Sequence, residues 1–235
     1  FLHNNAEALR WVYDRLADDI SRHTFENILK YKLSGKINYL IDCQVDETEP
    51  YTSFLKLEKE RFLDLGAYNG DTAEELTNLC PHIEKIIALE PDRRNFRKLA
   101  TYAEKEPRVI PVNAAAWSEN TALIFDDSGN RNSGLDEGNS RRHAEVRAVA
   151  LDSLLNEKID YIKYDVEGAE KQAIEGTAET IKKYHPDLLI SVYHRTEDLH
   201  ELILQIHSIA PEYKLYLRRY PYIPAWDLNL YAIKE

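Results

Sequence analysis

A chain of 235 residues with 41 acidic and 30 basic side chains, a formal charge of −11, has room for one α/β domain with a full core and a small appendage. That charge repels phosphate backbones and gives no general basic surface, which argues against nucleic acid as a partner. The two cysteines, Cys43 and Cys80, show no CxxC spacing and no neighbouring His cluster, so neither a disulfide framework nor a zinc site is indicated and both read as ordinary thiols.

Residues 4–33 place Ala8, Trp11, Val12, Leu16, Ile20, Phe25, Ile28 and Leu29 at three-and-four spacing and end in Ser34-Gly35, which predicts one or two amphipathic helices. The segment does not begin with a basic region and an apolar run, and no stretch reaches the roughly 18 apolar residues a membrane span needs. A soluble, cytoplasmic protein without a membrane span is expected. Residues 36–57 contain Pro50, Tyr51 and Phe54 but little periodicity, and read as a connector packed on the core.

From residue 61 short β-rich runs alternate with helical segments, the pattern of βαβ units in a largely parallel sheet. Strands are expected at 61–65, 85–90, 109–114, 161–165 and 188–193, with helices at 71–80, 92–105, 168–184 and 196–209. Two more strands, 121–125 and 145–150, flank a polar stretch at 126–142. That stretch contains Gly129, Gly134 and Gly138, and reads either as a mobile loop over an acceptor site or as a plain surface loop. Its partial likeness to a calcium loop fails because Arg131 stands where a glycine is required. Runs at 213–219 and 229–233 are close enough to pair as a hairpin. The aromatics of this region, Tyr216, Tyr220, Tyr222 and Trp226, either offer faces to a sugar or simply suit strands.

The first strand runs into Asp64-Leu65-Gly66-Ala67-Tyr68-Asn69-Gly70-Asp71-Thr72, where a helix begins. Glycines there let the backbone turn tightly and approach a ligand, and the helix N-terminus offers free N–H groups. The spacing is GxxxG, lacking the middle glycine that admits a pyrophosphate in the GxGxxG fingerprint. An adenosine without a phosphate fits better. Glu90 lies 20 residues beyond Gly70, before Pro91, where an acid commonly accepts hydrogen bonds from both ribose hydroxyls. Asn113 and Ala114 close the third strand among small residues that leave room for a flat base, while Trp117 reads either as part of that site or as a core aromatic. A tight βα turn with no ligand accounts for a lone GxxxG; strand, loop, helix and distal acid together favour one nucleoside site built from Asp64, Gly66, Ala67, Tyr68, Gly70, Asp71, Thr72, Glu90, Pro91, Asn113 and Ala114.

Ligands of open α/β sheets sit at the carboxyl ends of the strands, where Asp165, Glu167 and His194 are expected to converge as candidate catalytic residues. Asp165 is also a candidate for orienting a bound cofactor, and His194 has a suitable intrinsic pKa for a base. Glu167 and Glu170 begin a helix, where dipole and capping stabilisation is an equal account of Glu167 and the plainer account of Glu170. No complete metal-ligand pattern is present, so no metal is expected.

The run Lys163-Tyr164-Asp165-Val166-Glu167-Gly168-Ala169-Glu170, with Val149-Ala150-Leu151-Asp152-Ser153-Leu154-Leu155 before it and the glycine loop, resembles the FkbM family of S-adenosylmethionine-dependent methyltransferases. Leu16-Ala17-Asp18-Asp19-Ile20-Ser21-Arg22 resembles the leader of some members, so the likeness runs from about residue 16 to the end. The resemblance implies a Rossmann-like class I methyltransferase fold, with a mostly parallel seven-stranded sheet, an antiparallel last strand and helices on both faces. Residues 58–235 would form that domain and 1–57 a helical extension and connector. It further implies S-adenosylmethionine as cofactor and O-methylation of a hydroxyl on a saccharide or other small molecule. A nicotinamide-dependent oxidoreductase, weakened by the missing GxGxxG, and a non-catalytic nucleoside-binding module of the same fold are the alternatives.

Overall fold

The computed structural model describes residues 2–56, 58–126, 143–221 and 227–234. In chain order the elements are α1 (Ala6–Tyr13), α2 (Asp19–Ser34), α3 (Asn38–Asp42), α4 (Glu49–Ser53), β1 (Arg61–Leu65), α5 (Asp71–Leu79), β2 (Lys85–Leu89), α6 (Arg93–Ala103), β3 (Val109–Val112), β4 (Ala115–Ala116), β5 (Thr121–Asp126), β6 (His143–Val149), β7 (Tyr161–Tyr164), α7 (Glu170–Glu175), α8 (Ala178–Tyr184), β8 (Asp187–Ser191), α9 (Asp198–Ile209), β9 (Lys214–Arg219) and β10 (Leu228–Ile233). The strands form a seven-stranded sheet ordered β3-β2-β1-β7-β8-β10-β9, with β4, β6 and β5 in a second small sheet. The mixed α/β class, the seven-stranded sheet and the antiparallel C-terminal hairpin all match the sequence expectation.

The residues cluster into two compact units, Phe1–Leu55 with Asp187–Glu235, and Lys56–Pro186. In the second unit β1 is flanked by β2 and β7, both parallel to it, with β3 parallel to β2. Strands covered on both faces read as continuous apolar runs rather than alternating ones. Accordingly Phe62, Leu63 and Leu65 of β1 and Ile86, Ala88 and Leu89 of β2 are buried.

The helix expected over 168–184 is two helices. Between them, a Cβ on Gly176 would lie 1.9 Å from the Trp117 carbonyl oxygen, and the Gly176 carbonyl accepts from the Asp152 N–H at 2.9 Å. The Asp152 carboxylate in turn accepts from the N–H groups of Glu179 and Thr180 at 2.8 and 2.9 Å and from the Thr180 hydroxyl at 2.6 Å. It thus satisfies donors that the first turn of α8 leaves open. The strand expected over 109–114 ends at Val112, and Ala115 and Ala116 pair with β6 instead.

In the first unit β10 runs antiparallel to both β8 and β9. The outer side of β9 is met by the N-terminal segments: Ala17 N–H donates to the Leu215 carbonyl at 2.8 Å and Val45 N–H to the Arg219 carbonyl at 2.9 Å, while Leu217 N–H donates to Ser21 Oγ at 2.9 Å. Backbone groups that an edge strand would leave open are thereby paired. Asp18 starts α2 by accepting from the Ser21 N–H at 2.8 Å, and Gly35, in the left-handed region, ends it. The connector at 36–57 holds two short helices, α3 and α4, too brief to show periodicity. Among the described residues no helix is long and apolar enough to cross a membrane.

Candidate cofactor site

The glycine loop joins β1 to α5. Gly66 has φ +88, and a Cβ there would lie 1.8 Å from the Asp165 carbonyl oxygen. This glycine therefore permits a close approach between the ends of β1 and β7, where the sequence suggested only an approach to a ligand. Gly70, φ +94, precedes α5, and a Cβ there would lie 3.2 and 3.3 Å from the side chains of Tyr102 and Leu99. Gly66 and Ala67 N–H groups both donate to the Leu89 carbonyl, at 3.1 and 2.9 Å, which seats the loop over the end of β2. Tyr68 lies at φ +47, a conformation that costs a residue with a Cβ about 1 kcal/mol or more. Asp71 opens α5, its carboxylate accepting from the Thr72 N–H at 2.9 Å.

Glu90 is what holds Tyr68 there. Its side chain, only 6% exposed, accepts from the Tyr68 N–H at 2.8 Å through Oε2 and from the Asp92 N–H at 2.8 Å through Oε1. Burial pushes its pKa up to about 8, against these two bonds, which favour the charged form. Each carboxylate oxygen has two acceptor sites, so one remains on each. Asp92 caps α6 by accepting from Arg94 and Asn95 N–H groups at 2.8 and 3.0 Å. The Asn113 amide donates to the carbonyls of Glu90 and Pro91 at 2.8 and 3.1 Å. It ties the end of β3 to the turn that carries Glu90, beside the buried Ala114.

Asp64 is wholly buried, and its Oδ2 has no hydrogen-bond partner among the described residues. Its Oδ1 is 3.3 Å from the Lys163 ammonium, which is also 3.6 Å from Asp165 Oδ2. Burial pushes the Asp64 pKa up and Lys163 opposes that rise. Burial alone would pull Lys163 down, but Asp64, Asp165 and Asp71 more than offset it and hold the lysine protonated. A buried carboxylate oxygen without a donor is costly, and a cationic or N–H-bearing ligand at the carboxyl end of β1 would relieve that cost.

The structure therefore brings Asp64, Gly66, Ala67, Tyr68, Gly70, Asp71, Thr72, Glu90, Pro91, Asn113, Ala114 and Asp165 into one unit, on the ends and turns of four adjacent parallel strands. Glu167 follows β7 at φ +54, before Gly168 at φ +91. Strained positions of this kind cluster at functional sites. Glu170 is buried, and its Oε1 accepts from the Val166 N–H at 2.9 Å, a bond to the loop that precedes α7. His194 follows β8 in the other unit, half-buried, with its ring centroid 4.2 Å from that of Tyr193.

Tyr216 and Tyr220 are buried, the first stacked on Phe54 at 4.0 Å and the second sharing a hydrogen bond with the Tyr231 hydroxyl, so the strand-packing reading fits both. Tyr222 and Trp226, like Gly129, Gly134 and Gly138 of the expected loop, lie outside the described residues. Cys43 and Cys80 are buried free thiols, and burial pushes each up to about 11. Sequence reading missed Lys163 as more than part of a motif. The signal was present: a lysine in a strand whose neighbours, Tyr161, Ile162 and Tyr164, are all core residues.

The model of the methyltransferase FkbM domain matches residues 64–219. The crystal structure of an FkbM methyltransferase from Methylobacillus flagellatus is similar at TM-score 0.85 and 25% identity, over 99% of this chain and 60% of that one. The chain thus spans about three fifths of that protein's length. Fibrillarin from Aeropyrum pernix, solved with natively bound S-adenosyl-L-methionine, is similar at TM-score 0.51 and 16% identity, over 76% of this chain and 69% of that one. The precorrin-6y C5,15-methyltransferase of Geobacter metallireducens is similar at TM-score 0.50 and 16% identity, over 77% and 84%. These last two likenesses bear on the fold alone. No curated protein matches the chain in sequence.

Proposed function

The chain belongs to the FkbM methyltransferase family, and we propose that it binds S-adenosylmethionine and methylates a hydroxyl of a saccharide or other small molecule. The observation that carries the cofactor reading is Glu90, buried and bonded to the glycine loop, with an acceptor site left on each oxygen for a ribose hydroxyl. Residues 58–235 are proposed as the methyltransferase domain and 1–57 as a helical extension.

When bound, the cofactor supplies an electrophilic methyl group on a sulfonium. The residues of the chain have distinct tasks. Asp64 and Asp165 receive the cationic methionine portion, Glu90 the ribose, and Asn113 with Ala114 the edge of the base; Ala67, Tyr68, Asp71 and Thr72 line the turn. Transfer to a hydroxyl needs alignment and removal of one proton. His194 is assigned as the base that takes it and Glu167 as an orienting carboxylate. The formal charge of −11 supports an uncharged acceptor over a nucleic acid.

Calorimetric titration of the folded protein with S-adenosylmethionine and S-adenosylhomocysteine tests the cofactor reading: both bind if it holds, and binding of neither overturns it. For the chemical step, His194→Ala is expected to lower the single-turnover rate about a hundredfold with cofactor affinity unchanged. A parallel loss of cofactor affinity in His194→Ala would contradict that assignment. The substrate is sought by a methyl-transfer screen against lipid-linked and soluble saccharides.

A further inference from the structure

Lys163 stands opposite Asp64 in the parallel register of β7 with β1. Its ammonium lies 3.3 Å from Asp64 Oδ1, 3.5 Å from the Gly66 carbonyl oxygen and 3.6 Å from Asp165 Oδ2. Its side chain is 14% exposed and that of Asp64 0%. One cation therefore reaches two carboxylates and the backbone of the glycine turn at once. The charged groups acting on this pair are Asp165 from the end of β7, Asp71 from the start of α5 and Glu90 after β2, all acidic. Without Lys163 the buried Asp64 would face only like charges.

We propose that Lys163 is a positioning residue of the donor site: it opposes the neutralisation of buried Asp64 and holds the Gly66 turn, so that the unpartnered Asp64 Oδ2 is ready to accept from the cofactor's ammonium. This rests on the cofactor reading given above and extends it to a residue that need not touch the ligand. A buried carboxylate deprived of its counter-ion shifts its pKa upward and neutralises. In Lys163→Met, binding would then require Asp64 to lose a proton first.

The experiment titrates S-adenosylhomocysteine into wild type, Lys163→Met and Lys163→Arg across about pH 6 to 9, with thermal melts of the ligand-free proteins over the same range. Lys163→Met is expected to bind about tenfold more weakly than wild type at neutral pH, a deficit that narrows as pH rises, equivalent to about one unit of pKa. Lys163→Arg, which keeps the charge, is expected to recover most of the affinity. In the melts, a raised Asp64 pKa means the folded variant holds a proton that the unfolded chain has lost. The melting temperature of Lys163→Met should therefore fall relative to wild type as pH rises, and the Asp64→Asn/Lys163→Met pair should abolish that trend. A constant affinity ratio between wild type and Lys163→Met, with parallel melting profiles, overturns the proposal. If wild type itself binds no cofactor, the functional reading fails, and the ligand-free melts still decide the role of Lys163. If Lys163→Met does not fold, the double variant decides: recovery of the fold supports the pairing, and no recovery overturns it.

Discussion

Gly66→Ala is expected to destabilise the fold by on the order of 4 kcal/mol or more, among the largest effects a single substitution produces. Two costs add. The backbone at φ +88 is one that a residue with a Cβ adopts poorly, and the new carbon would sit 1.8 Å from the Asp165 carbonyl oxygen and 2.7 Å from its carbonyl carbon. Those atoms are backbone at the end of a central strand, so relief requires β1 and β7 to separate at Leu65 and Tyr164, which are paired in register. Gly70→Ala is the control. Its φ is similarly positive, but the atoms met are side chains of Tyr102 and Leu99 at 3.2 and 3.3 Å, which can give. About 1–2 kcal/mol is expected there, the cost of the left-handed backbone. Urea denaturation of the two variants checks the ranking; equal losses would mean that the strand-end contact does not govern Gly66.

Arg218→Ala is expected to cost about 3–5 kcal/mol, the usual effect of breaking a buried ion pair from one side. Arg218 on β9 is 0% exposed, and its guanidinium grips two carboxylates. Nη2 and Nη1 reach Asp18 at 2.6 and 3.2 Å, while Nε and Nη2 reach Glu49 at 2.5 and 3.1 Å. Nη1 also donates to Ser21 Oγ at 2.9 Å, and the guanidinium carbon lies 5.1 Å from the centre of the Phe54 ring. Removing it strands Asp18 and Glu49, which start α2 and lie in α4. Arg218→Lys keeps the charge but cannot fork between two acids, so a smaller loss is expected. Asp18 is half-buried, which raises its pKa, yet hydrogen bonds from Arg218 and Ser21 hold it below the usual carboxylate value. A depressed folded pKa gives stability that is present above the unfolded value and lost as pH falls through the folded one. The difference between wild type and Arg218→Ala in thermal melts should therefore shrink in acid. A difference that stays constant down to acid pH would contradict the pairing.

What could be read from sequence follows the range of the forces involved. The buried strands β1 and β2 showed themselves as largely apolar runs because parallel strands covered on both faces leave little room for polar alternation. The turn at the glycine loop and the placement of Glu90 beside it were legible because both lie within one βαβ unit. Features set by distant partners were not. The break between α7 and α8 depends on the Trp117 and Asp152 backbones meeting Gly176, and within 168–184 only that glycine marks it. The same holds for Arg218, which looks like a surface residue of an edge strand until Asp18 and Glu49, 200 and 169 residues away, are placed beside it. Gly66 was identified correctly as a special position but for an incomplete reason, since its nearest neighbour is the chain's own backbone. Lys163 sits between these cases: its pairing with Asp64 follows from register, which sequence does not fix.

We propose that Glu90 receives the cofactor's ribose, and its raised pKa makes this directly measurable. A carboxyl pushed up to about 8 by burial is largely protonated at neutral pH when no ligand is present, and its contribution to the ligand-free fold is lost as pH rises through that value. Accepting from two ribose hydroxyls favours the ionised form. S-adenosylhomocysteine should therefore bind wild type with an affinity that rises up to about tenfold per pH unit toward about pH 8 and then levels, with release of a proton below it. Titrated side by side, Glu90→Ala is expected to bind at least tenfold more weakly above about pH 8, without that pH dependence. Equal affinities and identical pH profiles for the two folded proteins would contradict the assignment of this site.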